Sequence, residues 1–518
     1  MKNMYQTSWL CLLLGCILFA ACSKDDVNDA LAPKITLSSS TSIYTGKVNR
    51  DIVLEATVEH GDGGIYSWKQ DGKIICTQPV CIFRSDKTGE YYVTLRVDTK
   101  NGYAEKEMRV DVLEMAPPVI SLAVPEGGIV TYVNTELTLS PDERTFFLEH
   151  PTRADLTKLL APNAFWEEMA EHPDYDEWWR ARDTRRACYN IRPAMLVVGG
   201  TFDAEDCYGA WNLYKAVLRQ SARTPLHLVV GPWAHGAWRG DGRTLGDFDF
   251  GEEASGAYYM EHFEAPFFDC YLWARDTVDR LPPVAAFSSG DNRWHTFGRW
   301  TPSEARKLTL YLADGGRITT EKPTVKNSST SYTSDPADPV PYIATSGTRR
   351  PKEYMIADQR FLEGRKDVLT FVTEPLAEDV TLAGPVEASL KVALSTSDAD
   401  FVVKLIDVYP DEGEKAGMQM LVRGDVVRGR YRDGFTRPKA FVPGSPETVP
   451  FRTTDIAHTF RAGHRIMVQV QSSWFPLTER NPQQYVDLWR CAASDFVPCR
   501  VTLFHQRDRA SSLTVYKL

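Results

Sequence analysis

From Pro33 to Glu114 hydrophobic and polar positions alternate in short runs, as in Asp51-Ile52-Val53-Leu54-Glu55-Ala56-Thr57-Val58 and Tyr91-Tyr92-Val93-Thr94-Leu95-Arg96-Val97. A period of two places every second side chain on one face, so residues 33–114 are expected to form a small β-sandwich. After Ala116-Pro117-Pro118, the runs Val119-Ile120-Ser121-Leu122 and Leu137-Thr138-Leu139-Ser140 echo Ile35-Thr36-Leu37-Ser38 and Ile52-Val53-Leu54. Residues 117–140 therefore read as a second copy that stops after about two strands, too few to bury their own faces. At Pro141–Glu143 the pattern changes abruptly to the charged, helix-like stretch Arg144–Arg186. Ala194-Met195-Leu196-Val197-Val198-Gly199-Gly200 and Leu226-His227-Leu228-Val229-Val230-Gly231 are continuous apolar runs ending in glycine, as expected of strands buried on both faces of a parallel sheet. Helical periodicity runs through Asp206–Ser221 between them and through Ala254–Asp276 after them, which makes residues 144–300 an α/β region. Beyond Trp300 strands dominate to Leu518, with runs such as Phe401-Val402-Val403-Lys404-Leu405-Ile406, and residues 301–518 are expected to form a jelly-roll β-sandwich.

The chain of 518 residues fits this division, because at roughly 150 residues per domain it should hold about three cores. An apolar share of 43% and a charged share of 25% are those of a folded chain. The net charge of −10, with no Lys/Arg block, excludes a nucleic-acid partner on electrostatic grounds. Lys2 precedes an apolar run, Trp9–Ala21, that is too short to span a bilayer and reads as a signal peptide. Its end, Leu18-Phe19-Ala20-Ala21-Cys22, resembles a bacterial lipobox, which implies removal of residues 1–21 and a membrane anchor of diacylglycerol on Cys22. The following Ser23-Lys24-Asp25-Asp26 resembles the acidic export signal of surface lipoproteins, so an outer-membrane or cell-surface location is expected. Of ten cysteines an odd seven would remain in that oxidising compartment. Cys76 with Cys81, and Cys491 with Cys499, are near enough in sequence to bridge, but spacing alone assigns no disulfide, and no metal-type Cys spacing occurs.

Within the first sandwich, Tyr66-Ser67-Trp68, Asp71-Gly72, Phe83, Gly89-Glu90-Tyr91 and Val110-Asp111-Val112 resemble a PKD domain of the immunoglobulin-like class. The resemblance implies that Trp68 packs between two sheets and that the module is not catalytic.

The chemistry sits on the α/β region. Open α/β folds carry functional side chains on the loops after their strands. Those loops hold Asp203, in Gly199-Gly200-Thr201-Phe202-Asp203-Ala204-Glu205-Asp206, and His235, in Gly231-Pro232-Trp233-Ala234-His235-Gly236. An aspartate that fixes an imidazole's tautomer, and an imidazole that takes and returns a serine proton, are the second and third members of a Ser-Asp-His triad in that chain order. At these residues the chain resembles the cocaine esterase and X-Pro dipeptidyl peptidase superfamily of serine hydrolases, and among them the α-amino acid ester hydrolases. The similarity includes His172-Pro173-Asp174-Tyr175-Asp176-Glu177-Trp178-Trp179, Phe267-Phe268-Asp269, Tyr354–Phe361, Val403–Pro410, Gly429-Arg430-Tyr431-Arg432 and Gln469-Val470-Gln471-Ser472-Ser473.

The resemblance implies that Asp203 and His235 are the triad acid and base of a hydrolase acting on small esters, amides or peptides, with no cofactor or metal. It also implies an upstream Gly-x-Ser-x-Gly elbow and an oxyanion-binding Arg-x-Pro-Tyr-like segment, and the sequence contains neither. The match is thus to the C-terminal half of the hydrolase, with an exposed edge on the strand 195–200 and the arrangement of a fusion or truncation. Asp176, Glu177, Glu205 and Asp206 are the acids near the motifs that the resemblance would offer to a substrate α-ammonium; as a bland alternative, Asp206 caps its helix. Two functions follow: an acyl or α-aminoacyl hydrolase impaired by loss of its serine, or a non-catalytic surface lipoprotein that binds through its β-sandwiches.

Overall fold

The computed structural model describes residues 32–113 and 137–518, apart from 38–41, 49, 138 and 273–280. Cys22 and nearly all of the 117–140 echo lie outside the described residues. No helix among the described residues is long and apolar enough to cross a membrane. The chain divides into two compact units, 1–129 and 130–518.

In the N-terminal unit five strands pair in the order 43–47, 102–113, 89–99, 65–70 and 73–76, and two further pairs, 34–37 with 56–59 and 52–54 with 81–83, complete the sandwich. Alternation decides the faces: Val93, Leu95 and Val97 are buried in one core with Ile52, Leu54, Phe83, Met108, Val110 and Val112. Trp68 lies at its centre, fully buried, and its indole N–H donates to the Gln78 carbonyl at 2.7 Å. Asp71 and Gly72 join the strands 65–70 and 73–76 with φ of 48° and 74°, the left-handed pair that a two-residue hairpin turn requires.

The C-terminal unit opens with short helices rather than one long one, because cap residues interrupt the pattern. Asp142, Thr152, Asn163 and Asp176 each accept a hydrogen bond from a backbone N–H of the helix they precede: Glu143–Glu149, Arg153–Leu160, Ala164–Glu171 and Glu177–Arg182. The α/β region follows as strand β1 (Met195–Gly200), helix α1 (Cys207–Gln220), strand β2 (Leu226–Gly231), strand β3 (Val284–Ser288) and strand β4 (Arg293–Phe297). Strands β1, β2 and β3 are parallel and β4 returns antiparallel, so β1 is an edge strand of this four-stranded sheet. The helix expected over 254–276 runs from Gly256 to Tyr271 with a wide turn at Met260–Glu264; the Ser255 hydroxyl accepting the Tyr258 N–H sets its start.

Residues 306–517 form a fourteen-stranded hydrogen-bonded sheet wrapped around one apolar core that includes Leu312, Leu390, Phe401, Phe460, Val468 and Leu513. The partial α/β sheet is supported from this sandwich. Trp300 stacks on Trp211 of α1 at 4.5 Å, and its indole N–H donates to Asp455 at 2.9 Å. Lys215 of α1 also pairs with the buried Asp455 carboxylate. A half-sheet that would be a poor unit by itself is thereby packed against a larger core.

Candidate active site

The two glycine-ended strands carry the site because their ends approach closely. The Thr201 N–H donates to the Gly231 carbonyl at 2.8 Å and the Phe202 N–H to the Trp233 carbonyl at 3.1 Å. A Cβ on Gly200 would lie 2.1 Å from that Trp233 oxygen, so only glycine permits the approach. Trp233 is anchored by its own indole N–H, which donates to the Ala254 carbonyl at 2.7 Å. After His235 the chain turns at Gly236 with φ of 66°.

Asp203 and His235 meet there. The Nδ1 of His235 lies 3.1 Å from Asp203 Oδ2 and 3.3 Å from Oδ1. Oδ1 also accepts the backbone N–H groups of Glu205 and Asp206 at 2.8 and 2.9 Å, which holds the buried carboxylate in place before the imidazole arrives. The His235 side chain is 51% exposed, and its Nε2 makes no hydrogen bond among the described residues. The hydrogen bond to Asp203 and the charge of that carboxylate raise the His235 pKa; partial burial opposes this, and Glu205 and Asp206 add to the rise. The pair is thus an oriented imidazole with Nδ1 committed and Nε2 facing outward. Asp206 occupies the cap position of α1 but makes no side-chain cap bond; its carboxylate instead stands 3.5 Å from His235 Nδ1. Ligand-type atoms of Asp203, Asp206 and His235 lie within 4.8 Å of one another, close enough for a cation, but Asp203 already takes three N–H donors.

Comparison with known proteins bears on this region. The profile of the X-Pro dipeptidyl-peptidase (S15 family) matches residues 131–237, and that of the X-Pro dipeptidyl-peptidase C-terminal non-catalytic domain matches 276–509. The cocaine esterase of Rhodococcus sp. (strain MB1 Bresler) is 30% identical over 328 residues, 61% of this chain and 54% of the esterase. Residues 131–237 and 276–509 thus each match a model of the X-Pro dipeptidyl-peptidases, and the region is similar to the cocaine esterase. Two solved structures are similar. An aminopeptidase from a marine sediment Thaumarchaeota archaeon matches with 34% identity and a TM-score of 0.70, and an α-amino acid ester hydrolase with 33% and 0.67. Each match covers 74% of this chain and 65% of the solved chain, so this chain spans about half to two-thirds of the length of these relatives. The N-terminal unit matches the profile of a PKD-like domain over residues 32–99.

The other acids expected near the superfamily site divide into two pairs. Glu205 is exposed and 3.8 Å from Arg350, and together with Asp206 it adds negative charge around His235. Asp176 caps its helix through Trp178 and Trp179 and binds His172 Nδ1 at 2.6 Å, contacts that hold its carboxyl below the ordinary range. Glu177 pairs with Arg180 at 2.6 Å and Arg186 at 3.9 Å. Among the described residues neither Asp176 nor Glu177 touches His235.

Two features of the unit join residues that lie far apart in the sequence. Arg423, buried in the sandwich, donates to the Thr201 carbonyl at 2.8 Å and so braces the Asp203 loop across 222 positions of sequence. A Ser-His-Asp array is also present away from His235: Ser289 Oγ lies 2.8 Å from His458 Nδ1, and His458 Nε2 lies 3.2 Å from Asp407 Oδ2. Asp407 Oδ1 further binds His464 Nδ1 at 2.9 Å. Burial raises the Asp407 pKa, but the hydrogen bonds from the two imidazoles outweigh it and leave the carboxyl below its ordinary value. Ser289, His458 and Asp407 are all buried, so no substrate reaches them and the array is a structural tie between sheet and sandwich. Ser255 is buried as well, as a helix cap, and among the described residues no serine hydroxyl bonds to His235.

Proposed function

We propose that this protein carries the acid–base half of a serine hydrolase site for esters or amides of small acyl, especially α-aminoacyl, groups. His235 is the general base and Asp203 the residue that fixes its tautomer and stabilises its cation. The observation that carries the reading is the His235 imidazole, held through Nδ1 by a preset carboxylate with Nε2 open to a reacting group. Glu205 and Asp206 would meet the α-ammonium of an aminoacyl substrate; Asp176 and Glu177, engaged in a cap and in ion pairs, contribute less. With no Gly-x-Ser-x-Gly in the sequence, covalent catalysis by this chain is impaired, because the nucleophile itself is the missing group. The lipobox-like Leu18–Cys22 supports placement as a lipid-anchored protein of the outer membrane or cell surface.

Hydrolysis of an activated ester such as p-nitrophenyl acetate tests the base directly. The expected result is slow turnover that rises with pH as His235 loses its proton and disappears in His235→Ala. Turnover unchanged in that variant, or absent from the wild type, would leave the β-sandwiches as the functional part and favour a binding lipoprotein.

A further inference from the structure

Seven cysteines lie among the described residues, and all seven are thiols. Five point at unrelated partners or stand apart. Cys491 donates to the Leu488 carbonyl at 3.6 Å, whereas Cys499 faces Arg500 and Ser395, so these two, near in sequence, do not meet. Cys188 and Cys207 donate to the carbonyls of Thr184 and Thr201.

Cys76 and Cys81 behave differently. Cys76 ends the strand 73–76 at the edge of the five-stranded sheet, pairing with Trp68, and Cys81 opens the strand 81–83, pairing with Leu54 of the strand 52–54. Thr77–Val80 bridge the two sheets and fold back: Cys76 Sγ donates to the Val80 carbonyl at 3.6 Å and accepts the Gln78 N–H at 3.4 Å. The Gln78 carbonyl is in turn held by the Trp68 indole. Both sulfurs pack on the sandwich core, Cys81 fully buried and Cys76 at its margin. The Val80 carbonyl that Cys76 Sγ meets belongs to the residue just before Cys81, which brings the two side chains to one end of the loop, and burial together with the neighbouring Cys76 pushes Cys81 up to about 12.

We propose that Cys76 and Cys81 are the two halves of an inter-sheet disulfide, closed by exchange with an external disulfide such as glutathione disulfide. The more exposed Cys76 thiolate attacks a sulfur of the oxidant, forming a mixed disulfide and releasing one thiol. Cys81 Sγ then attacks Cys76 Sγ, the second oxidant thiol leaves, and it takes up the Cys81 proton. Two protein thiols are oxidised and one small disulfide is reduced to two thiols. The six-residue loop from Cys76 to Cys81 is folded back by the Gln78 and Val80 contacts, and the bond would tie the edge strand of one sheet to the other directly beside Trp68. This inference is independent of the hydrolase reading, since it lies wholly in the PKD-like unit.

The test equilibrates the full chain with glutathione disulfide, alkylates it under denaturing conditions and maps the peptides. The expected result is a 76–81 cross-link, about 2 Da lighter than the dithiol, while Cys188, Cys207, Cys270, Cys491 and Cys499 are alkylated. In Cys81→Ser, Cys76 should be trapped as its glutathione adduct. Reduction should lower the melting temperature of the N-terminal transition by roughly 5–15 °C. Alkylation of both Cys76 and Cys81 in the oxidised wild type, or a bond from either to another cysteine, would overturn the proposal.

Discussion

His235 and His458 are built from the same parts and do opposite things. Each imidazole is bonded to an aspartate on one nitrogen. At His458 the other nitrogen is closed by Ser289, the aspartate is shared with His464, and every member is buried. At His235 the other nitrogen is open and half the side chain meets solvent. A Ser-His-Asp hydrogen-bond pattern is therefore not by itself a catalytic signature; access to the outer nitrogen decides. The direction of attachment differs too. His235 presents Nδ1 to its carboxylate, the arrangement that leaves Nε2 for a serine, whereas His458 presents Nε2 to Asp407 and Nδ1 to Ser289.

The comparison is broken most strongly from the buried side. Asp407→Ala leaves two imidazoles without their shared acceptor and should destabilise the C-terminal unit by about 3–5 kcal/mol, read by chemical denaturation. The same contacts lower the Asp407 pKa, so their contribution is fully present above the ordinary carboxyl value and lost as pH falls through the lower folded one. Next in size is Gly200→Ala. Its Cβ would strike the Trp233 carbonyl and should cost about 1–3 kcal/mol while separating Asp203 from His235, so the His235 titration shifts down along with stability.

Asp203→Asn addresses the open pair alone. The carboxylate raises the His235 pKa, so this variant should return the imidazole to near its ordinary value of about 6.5, read from its NMR titration. The sign is opposite to that of Asp407: stabilisation from the raised histidine is complete below its unfolded pKa and fades as pH rises through the folded one. Least of all, His235→Ala should change stability by about 0.5 kcal/mol or less, as expected for a half-exposed side chain outside any core.

What could be read in the sequence was local. Strand ends, glycines and the positions of Asp203 and His235 follow from runs of a few residues, because apolar continuity and a terminal glycine are properties of one strand and its loop. The Trp68 core followed from alternation for the same reason. Arg423 bracing Thr201, and Ser289 meeting His458 across 169 positions, could not be read, because nothing in either local pattern specifies a partner that arrives from another layer. Asp176 shows the converse. It sits in a motif shared with hydrolases, yet its carboxylate serves a helix terminus and His172, a role that its N-terminal position before Glu177–Arg182 already permitted.

In the proposed function His235 is the base of a serine hydrolase, although the sequence holds no Gly-x-Ser-x-Gly serine for it to serve. Labelling of the full chain with a fluorophosphonate probe, which captures only an activated serine, tests it most directly. The account predicts no covalent label on any serine of the wild type, and a serine labelled in the wild type but not in His235→Ala would contradict it.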